Sequence, residues 1–345
     1  MYSFRRIGSP GYALQLEKTS MTVPLLMSLL FVVWLGGRPV SHEFGDTVNY
    51  AMFYLLFSPD MEIVPSLKNE WVWAALNVLS KRADFDIHAF FTLVEAGYIF
   101  SVLWAVKKFM PSNPVLGMLF VYTSLMFFTF GTNGLRNGLA CHLVLLGMAF
   151  FFEDKYWQAA LVCLLAFGTH RSVMLPIASV VAARYLVPNV KYALLFWLAS
   201  IAVSLIFGNS IVNFFASLGF DDRMNSYNTT DYDSDFRHTG FRWDFLLYSA
   251  MPIVMGWYVC IKRKIRDRWF ETLFATYCMC NAFWVMVIRA AFSNRFAYLS
   301  WFMYPVIIAY PLVNLAVWDD QDKKTGVILL VYAGFTLFMQ GYYWG

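Results

Sequence analysis

Charged residues are scarce in this sequence. Asp, Glu, Lys and Arg make up 14% of the 345 residues, against roughly 25% in an average soluble domain, which excludes an ordinary soluble protein. Cysteine is scarce too: its five copies lie in apolar stretches, with no C-x-x-C pair and no histidine at zinc-ligand spacing. The pattern excludes a disulfide scaffold and a zinc site, and we expect neither a metal nor a cofactor.

Familiar nucleotide and nucleic-acid signatures are also lacking. No segment resembles a P-loop, a dinucleotide-binding fingerprint, a nucleophile elbow or a metalloprotease helix. The formal net charge of +4 is small and scattered along the chain. We therefore expect no nucleic-acid partner.

The sequence is instead rich in apolar residues, which make up 59% of the chain, and in aromatic ones, which make up 19%. A run of about 17 to 25 apolar residues can cross a bilayer as a helix, because its backbone groups are hydrogen-bonded within the segment. Candidate runs cover residues 21–37, 87–106, 114–130, 135–152, 157–169, 172–186, 191–207, 243–260, 269–288, 296–317 and 325–339. They predict an all-α integral membrane protein with about eleven transmembrane helices (10–12), in one domain over residues 1–345. The runs at 157–169 and 172–186 are short enough to form a re-entrant pair instead.

The distribution of Lys and Arg predicts the orientation. With the N-terminus in the cytoplasm, nine of the eleven Lys fall in inner segments, as the positive-inside rule requires. Nine of the fifteen Arg fall in outer segments or at outer helix ends: Arg38, Arg82, Arg136, Arg171, Arg223, Arg237, Arg242, Arg289 and Arg295. Outward Arg works against the rule, so these side chains need another explanation.

Two outer segments are long, at residues 38–86 and 208–242. The first contains apolar residues at helical spacing, which predicts an amphipathic helix on the outer membrane interface at about residues 66–80. The second is polar and carries five Asp between residues 221 and 235. We interpret it as a lid-like loop over a site.

Several residues have side chains suited to chemistry. Arg binds phosphate oxygens in a planar, bidentate way, so outward Arg favours a phosphate-bearing ligand, and beyond the membrane this would be a lipid-linked phosphate or diphosphate. Snorkelling to the interface is the alternative, and it is weakest for Arg136, Arg289 and Arg295, which begin or end helices among small and polar residues. His170 is either a proton acceptor or a hydrogen-bonded interfacial histidine.

Two ionisable residues lie within predicted transmembrane helices. Glu95 and His142 lie at similar depth, counted from the outer ends of their helices. Such residues are costly in the membrane and usually have a partner. We therefore expect Glu95 and His142 to contact each other as a structural pair.

The order of four short motifs gives a family resemblance. Gly134-Leu-Arg136-Asn137-Gly138-Leu-Ala140 is followed by His170-Arg-Ser172, Gly45-Asp46-Thr-Val-Asn49-Tyr50 follows the first apolar run, and Asn294-Arg295-Phe-Ala-Tyr298 opens the tenth. In this order the motifs resemble the EpsG-like and Wzy-type (O-antigen) polymerases of bacterial polysaccharide synthesis. Asn137 stands where that family usually has Gln.

The resemblance implies glycosyl transfer at the outer face of the bacterial cytoplasmic membrane. A growing glycan would leave its undecaprenyl diphosphate and join the next undecaprenyl-diphosphate-linked repeat unit, for lipopolysaccharide or exopolysaccharide. Donor and acceptor lipids would then be the partners, with a chain-length regulator protein as a further candidate. A GT-C-like architecture, as in other lipid-linked glycosyltransferases, is a fold-level analogy.

The resemblance also suggests roles for individual residues. His170 would be the base or orient the acceptor, and Arg136, Arg289 and Arg295 would bind the diphosphate. Further substrate-binding candidates are Tyr298, Arg38, Asp46, Tyr50, Arg171 and Asn137. Asp46 and Glu70 are alternative bases.

Two alternatives from other classes are left open by the sequence. A lipid-linked oligosaccharide flippase is also polytopic, but it would be expected to show an internal repeat, which is not evident here. An O-antigen ligase or a membrane acyltransferase shares the outward Arg and His and differs in its acceptor.

Overall fold

The structure is a computed structural model that describes residues 20–217, 240–290 and 293–344, and all regular elements in these ranges are helical. The α-helices are α1 Thr22–Gly36, α2 Thr47–Leu55, α3 Trp71–Arg82, α4 Ile87–Phe109, α5 Pro114–Tyr122, α6 Leu125–Thr132, α7 Leu135–Phe152, α8 Tyr156–Thr169, α9 Met174–Tyr185, α10 Val190–Ser217, α11 Trp243–Trp257, α12 Arg268–Met286, α13 Asn294–Trp301, α14 Tyr304–Asn314 and α15 Gln321–Trp344. A π-helical turn, Tyr258–Lys262, extends α11, and 3-10 turns cover His42–Phe44 and Arg171–Val173. Each of the eleven apolar runs is thus helical, as predicted.

The chain is an all-helical multi-pass membrane protein. Six helical segments are long and apolar enough to cross a bilayer: Ile87–Phe109, Leu135–Phe152, Val190–Gly208, Trp243–Lys262, Asn294–Asn314 and Gln321–Gly341. The pair α5 and α6 makes a seventh if it is one broken span, bent by 69°. Helices α1 and α8 are apolar but shorter, so the number of eleven crossings stays a prediction.

The centre of the bundle is formed by α4, α7, α12 and the α13–α14 segment. Helix α7 packs between α4 and α8, while α12 packs against α9, α10 and α13. In the Asn294–Asn314 span 94% of the apolar window is buried, against 17% in Gln321–Gly341. The C-terminal helix therefore lies at the periphery with most of its surface exposed.

The bend between α5 and α6 brings α6 against the start of α7. The Ser124 side chain caps α6 by accepting a hydrogen bond from the Phe127 backbone N–H at 3.2 Å, which ends one helix and begins the next. Gly138 in α7 faces α6 so closely that a Cβ there would lie 2.7 Å from the Phe130 carbonyl oxygen. A residue without a side chain is required at this crossing.

The two long connections differ in part from the prediction. The helix expected at about 66–80 begins later, at Trp71, because Ser66 and Asn69 form a turn before it. Leu67, one of the residues assigned to the apolar face, lies outside the helix and is exposed. Helix α10 continues to Ser217, beyond the predicted start of the lid-like loop at 208. The acidic part of that loop, with Arg223 and Arg237, falls outside the described residues.

A buried ion pair joins α1, α2 and α4. The Arg38 guanidinium lies 3.2 Å from the Glu95 carboxylate, and the two residues are 4% and 1% exposed. Arg38 Nε also donates to the Thr47 hydroxyl at 3.1 Å, and Nη1 donates to the Leu35 carbonyl oxygen. The ion pair thus fixes the first turn of α2 against the end of α1 and against Glu95 within α4.

The predicted contact between Glu95 and His142 is wrong. His142 Nδ1 lies 2.7 Å from the Gly138 carbonyl oxygen of its own helix, and its ring packs against Tyr98 and Phe130. Similar depth in the membrane does not imply contact, because the two side chains point to different neighbours around their helix axes. The partner of Glu95 comes from a connection outside the helices.

Replacing Glu95 by Gln would leave the buried Arg38 cation without its counter-charge. We expect a loss of about 3–5 kcal/mol in stability, seen as a lower melting temperature in detergent and less protein in the membrane. The matched control is Glu153→Gln at the opposite end of the bundle, where the partly exposed carboxylate pairs with Lys108 and Lys155. Its loss should stay below about 1 kcal/mol; equal melting temperatures of the two variants would contradict this role of the ion pair.

Candidate functional site

One end of the bundle collects most of the residues singled out in the sequence. Because successive long helices run in opposite directions, the end of α8 and the starts of α7 and α13 meet there, with the connection that carries α2 and α3 beside them. The contacts that follow join segments at least 66 residues apart in the chain.

The central contact of this end is made by Glu70. One carboxylate oxygen lies 2.5 Å from His170 Nδ1, and the other accepts a hydrogen bond from Arg136 Nη1 at 2.6 Å. We call these three residues the Glu70 triad. The three side chains are between 21% and 28% exposed, so they face an opening and do not lie in the core.

Local backbone structure presents each member of the triad. His170 ends α8 with an extended backbone, Glu70 immediately precedes α3, and Arg136 lies in the first turn of α7. Helix α3 approaches α8 at Gly168, where a Cβ would lie 2.5 Å from a methyl group of Val72. Glycine at 168 therefore allows the contact that sets Glu70 beside His170.

The electrostatics of the triad favour an ionised Glu70. Burial alone would raise the pKa of this carboxyl group, but the hydrogen bond and charge of His170 and the charge of Arg136 outweigh it. The Arg171 backbone N–H also contributes, and the pKa lies below its ordinary value. An ionised carboxylate only accepts hydrogen bonds, so His170 Nδ1 carries a proton and Nε2 is the nitrogen that can accept one.

Tyr50 adds a neutral hydroxyl next to the triad. It hydrogen-bonds to the Arg136 side chain, and its ring packs against Trp73 with centroids 5.9 Å apart. Burial raises the pKa of Tyr50, the Arg136 charge opposes the rise, and Asp46 adds to it; the net shift is upward. The phenol therefore stays protonated at neutral pH.

A second polar group lies one turn of α2 away. The Asp46 carboxylate is 3.5 Å from Arg295 Nη2, and both side chains are accessible, at 34% and 40% exposure. The Asp46 backbone N–H donates to the Asn133 side chain at 3.0 Å, and Asn49 donates to the Asp46 carboxylate. We call Asp46 and Arg295 the Asp46–Arg295 pair.

The start of α13 borders this pair. Asn294 donates to the Tyr298 hydroxyl at 3.3 Å, and the Tyr298 ring lies over Gly134, two residues before Arg136. The Asp46–Arg295 pair and the Glu70 triad are thus linked on one side by α2 and on the other by Tyr298. The sequence motifs at residues 45–50 and 294–298 thus meet at this end of the bundle.

The other predicted residues lie in different surroundings. Arg171 donates to the Lys68 carbonyl oxygen at 3.2 Å, next to the triad. Arg38 is buried with Glu95, and Asn137 is buried in α7, where its side chain accepts a hydrogen bond from the Cys141 thiol. Arg289 packs against Gly208 and over the Phe241 ring and forms no ion pair with the triad in the described part of the chain.

Sequence reasoning named Glu70 only as an alternative base and did not identify its partners. Two features of the sequence could have identified Glu70 as their partner. It lies directly before the amphipathic helix, and its charge is opposite to that of the outward Arg residues. Among the described residues no three His, Cys, Asp or Glu side chains converge as metal ligands would.

Comparison with known proteins gives one match. The model of the EpsG family matches residues 22–344, nearly the whole chain. No curated protein and no solved structure matches.

Replacing Glu70 by Gln should change how stability depends on pH. Because the folded state lowers the pKa of Glu70, its ionisation stabilises the protein fully above the ordinary value of 4.5, and this stabilisation is lost as pH falls through the depressed folded value. We expect the wild type to melt at a higher temperature than Glu70→Gln at pH 7. The difference should shrink on acidification.

Thermal unfolding in detergent across a pH series measures this effect. Glu62→Gln, at an exposed position of the same connection, is the matched control and should melt like the wild type throughout. A gap between wild type and Glu70→Gln that stays constant down to strongly acidic pH would show that the carboxylate is not stabilised by its two partners.

Proposed function

The chain belongs to the EpsG family, and we propose that it is a polysaccharide polymerase acting at the outer face of the bacterial cytoplasmic membrane. It transfers a growing glycan from undecaprenyl diphosphate onto the next undecaprenyl-diphosphate-linked repeat unit. The observation that carries the proposal is the Glu70 triad, in which one carboxylate holds both an imidazole and a guanidinium at the opening of a membrane-embedded bundle.

His170 is the proton acceptor in this proposal. Glu70 holds its Nδ1–H, so Nε2 takes the proton from the attacking hydroxyl of the acceptor sugar. The carboxylate then stabilises the imidazolium that forms, the role that an aspartate has in serine hydrolases. Glu70 is a positioning residue here, since it acts through His170.

Arginine side chains stabilise the leaving group. As the acceptor oxygen bonds to the anomeric carbon, the bond from that carbon to the diphosphate oxygen breaks, and the electron pair leaves with the diphosphate. A guanidinium has five N–H donors, more than Glu70 and Tyr50 occupy on Arg136. Arg136 and Arg289 bind the oxygens on which negative charge develops, and Arg295 holds the diphosphate of the bound donor.

The remaining predicted residues have supporting roles. Asp46 and Tyr50 shape the acceptor site, and the protonated Tyr50 can donate a hydrogen bond to a sugar oxygen. Tyr298 and Arg171 border the same opening and contact substrate. Arg38 acts from within the bundle by fixing α2 beneath the site, and Asn137 accepts a hydrogen bond from Cys141 inside α7.

The surface polysaccharide of a strain that lacks this gene tests the reaction class. If the chain is a polymerase, the glycan ladder collapses to core plus a single repeat unit, because flipping and ligation still work. A plasmid-borne copy should restore the ladder. Loss of even the single repeat, with accumulation of lipid-linked precursors, would point to a flippase when the precursor is inside and to a ligase when it is outside.

Substitution of the triad should abolish polymerisation without loss of protein. We expect His170→Ala and Arg136→Ala each to lower the rate about 10²- to 10⁴-fold, the range of general acid–base catalysis and of charge stabilisation. Polymer length on gels and protein level by immunoblot are the measurements. His88→Ala, at an exposed position of α4, and Arg266→Ala, in an exposed pair with Glu271, are the matched controls and should make full-length polymer.

Replacing Arg295 by Ala should weaken donor binding more than turnover. A charge-assisted hydrogen bond to diphosphate contributes about 1.5–3 kcal/mol, so KM for the lipid-linked donor should rise at least roughly tenfold, with a smaller change in kcat. Arg295→Lys keeps the charge but not the bidentate geometry, so its KM should lie between those of the wild type and Arg295→Ala. Purified protein in nanodiscs with lipid-linked repeat units supplies both constants; an unchanged KM in Arg295→Ala would remove this residue from the diphosphate site.

A further inference from the structure

A cavity of about 340 Å³ opens at the same end of the bundle, between α6, α11, α13 and α15. Asn133, Asn294 and Tyr298 line it, and the same three residues border the Asp46–Arg295 pair. The cavity is therefore continuous with the proposed catalytic site. Its volume is at the lower end of the range of about 300–1,000 Å³ for small-molecule sites.

Aromatic rings form much of its wall. Phe245, Tyr248, Trp301 and Phe335 line the cavity together with Tyr298. The rings are held in place by one another: Tyr248 meets Trp301 edge to face at 5.1 Å and stacks on Phe335 at 5.9 Å. The indole N–H of Trp301 donates to the Ser249 hydroxyl at 2.7 Å. The wall is preorganised, which lowers the entropic cost of binding a ligand.

Polar groups are distributed among these rings. The amides of Asn133, Asn294 and Gln340 and the carboxylate of Asp244 line the cavity. Such groups exchange hydrogen bonds with a polar ligand.

We propose that this cavity binds a sugar ring of the lipid-linked repeat unit. The inference rests on the proposed function and names a subsite for its substrate. The C–H face of a pyranose packs on aromatic rings, whose faces are electron-rich, while its hydroxyls exchange hydrogen bonds with the amides of Asn133, Asn294 and Gln340. Tyr298 and Asn294 then lie between this ring and the diphosphate bound at Arg295.

The polyprenyl tail of the same lipid is the weaker occupant. A hydrocarbon tail offers no hydrogen bond, so it would take the polar groups of the lining out of water without supplying new partners. Exposed apolar side chains suited to a tail lie elsewhere, on the outer faces of α1, α10 and α15. The cavity therefore fits the polar head of the substrate and not its tail.

Binding of a tail-free probe tests the subsite. The probe is an oligosaccharide fraction from partial acid hydrolysis of the parent strain's surface polysaccharide, and saturation-transfer NMR with the protein in nanodiscs measures its affinity. Gln340→Ala removes one amide of the lining and should weaken binding roughly 2- to 12-fold. Phe335→Ala should weaken it by at least as much. The matched control, Phe338→Ala, lies on the same helix at a side chain that is 68% exposed and does not line the cavity, and should bind as the wild type does.

Three results would overturn the subsite: no binding of the oligosaccharide, an affinity unchanged by Gln340→Ala and Phe335→Ala, or displacement of the probe by undecaprenyl phosphate. The last result would assign the cavity to the tail. Failure of the proposed function is separate, because it would appear as polymer made by His170→Ala or as an intact ladder in the gene-deletion strain. Binding of the probe does not depend on either.

Discussion

The ionised carboxylate of Glu70 is the interaction on which the candidate site depends. A single anion holds a guanidinium and an imidazole from segments 66 and 100 residues away in the chain. Without it, the Arg136 and His170 side chains would have no common hydrogen-bond acceptor to hold them together. The same contact leaves His170 Nε2 and part of the Arg136 guanidinium facing the opening, which gives one base and one anion-binding group side by side.

Helix α2 links the buried ion pair in the membrane interior to this opening. Its first turn is fixed from below by Arg38, which is in turn held by Glu95 inside the bundle. Asp46 lies directly before this turn, and Tyr50 follows four residues later in α2. Burying an ion pair costs desolvation free energy. Here the ion pair gives α2, which is too short to be stable alone, a defined position between the Glu70 triad and the Asp46–Arg295 pair.

Breaks in the helices create room for a substrate. The 69° bend between α5 and α6 turns Leu125–Thr132 toward α7, with Gly138 at the crossing. The residue that follows α6, Asn133, then reaches both the Asp46 backbone and the aromatic cavity. A straight span would have buried this segment against its neighbours, so the bend connects the polar opening to a cavity of about 340 Å³.

The sequence by itself determined that the chain is a helical membrane protein, because long apolar runs have no other way to satisfy their backbone in a bilayer. The alternation of those runs also placed Arg136, His170 and Arg295 at one end of the bundle. Only the tertiary structure decided the partners: Glu95 binds Arg38 and not His142, and Glu70 joins Arg136 to His170. Periodicity and hydropathy fix depth and helical character, whereas partners depend on how helices rotate and cross, which side-chain packing between distant segments decides.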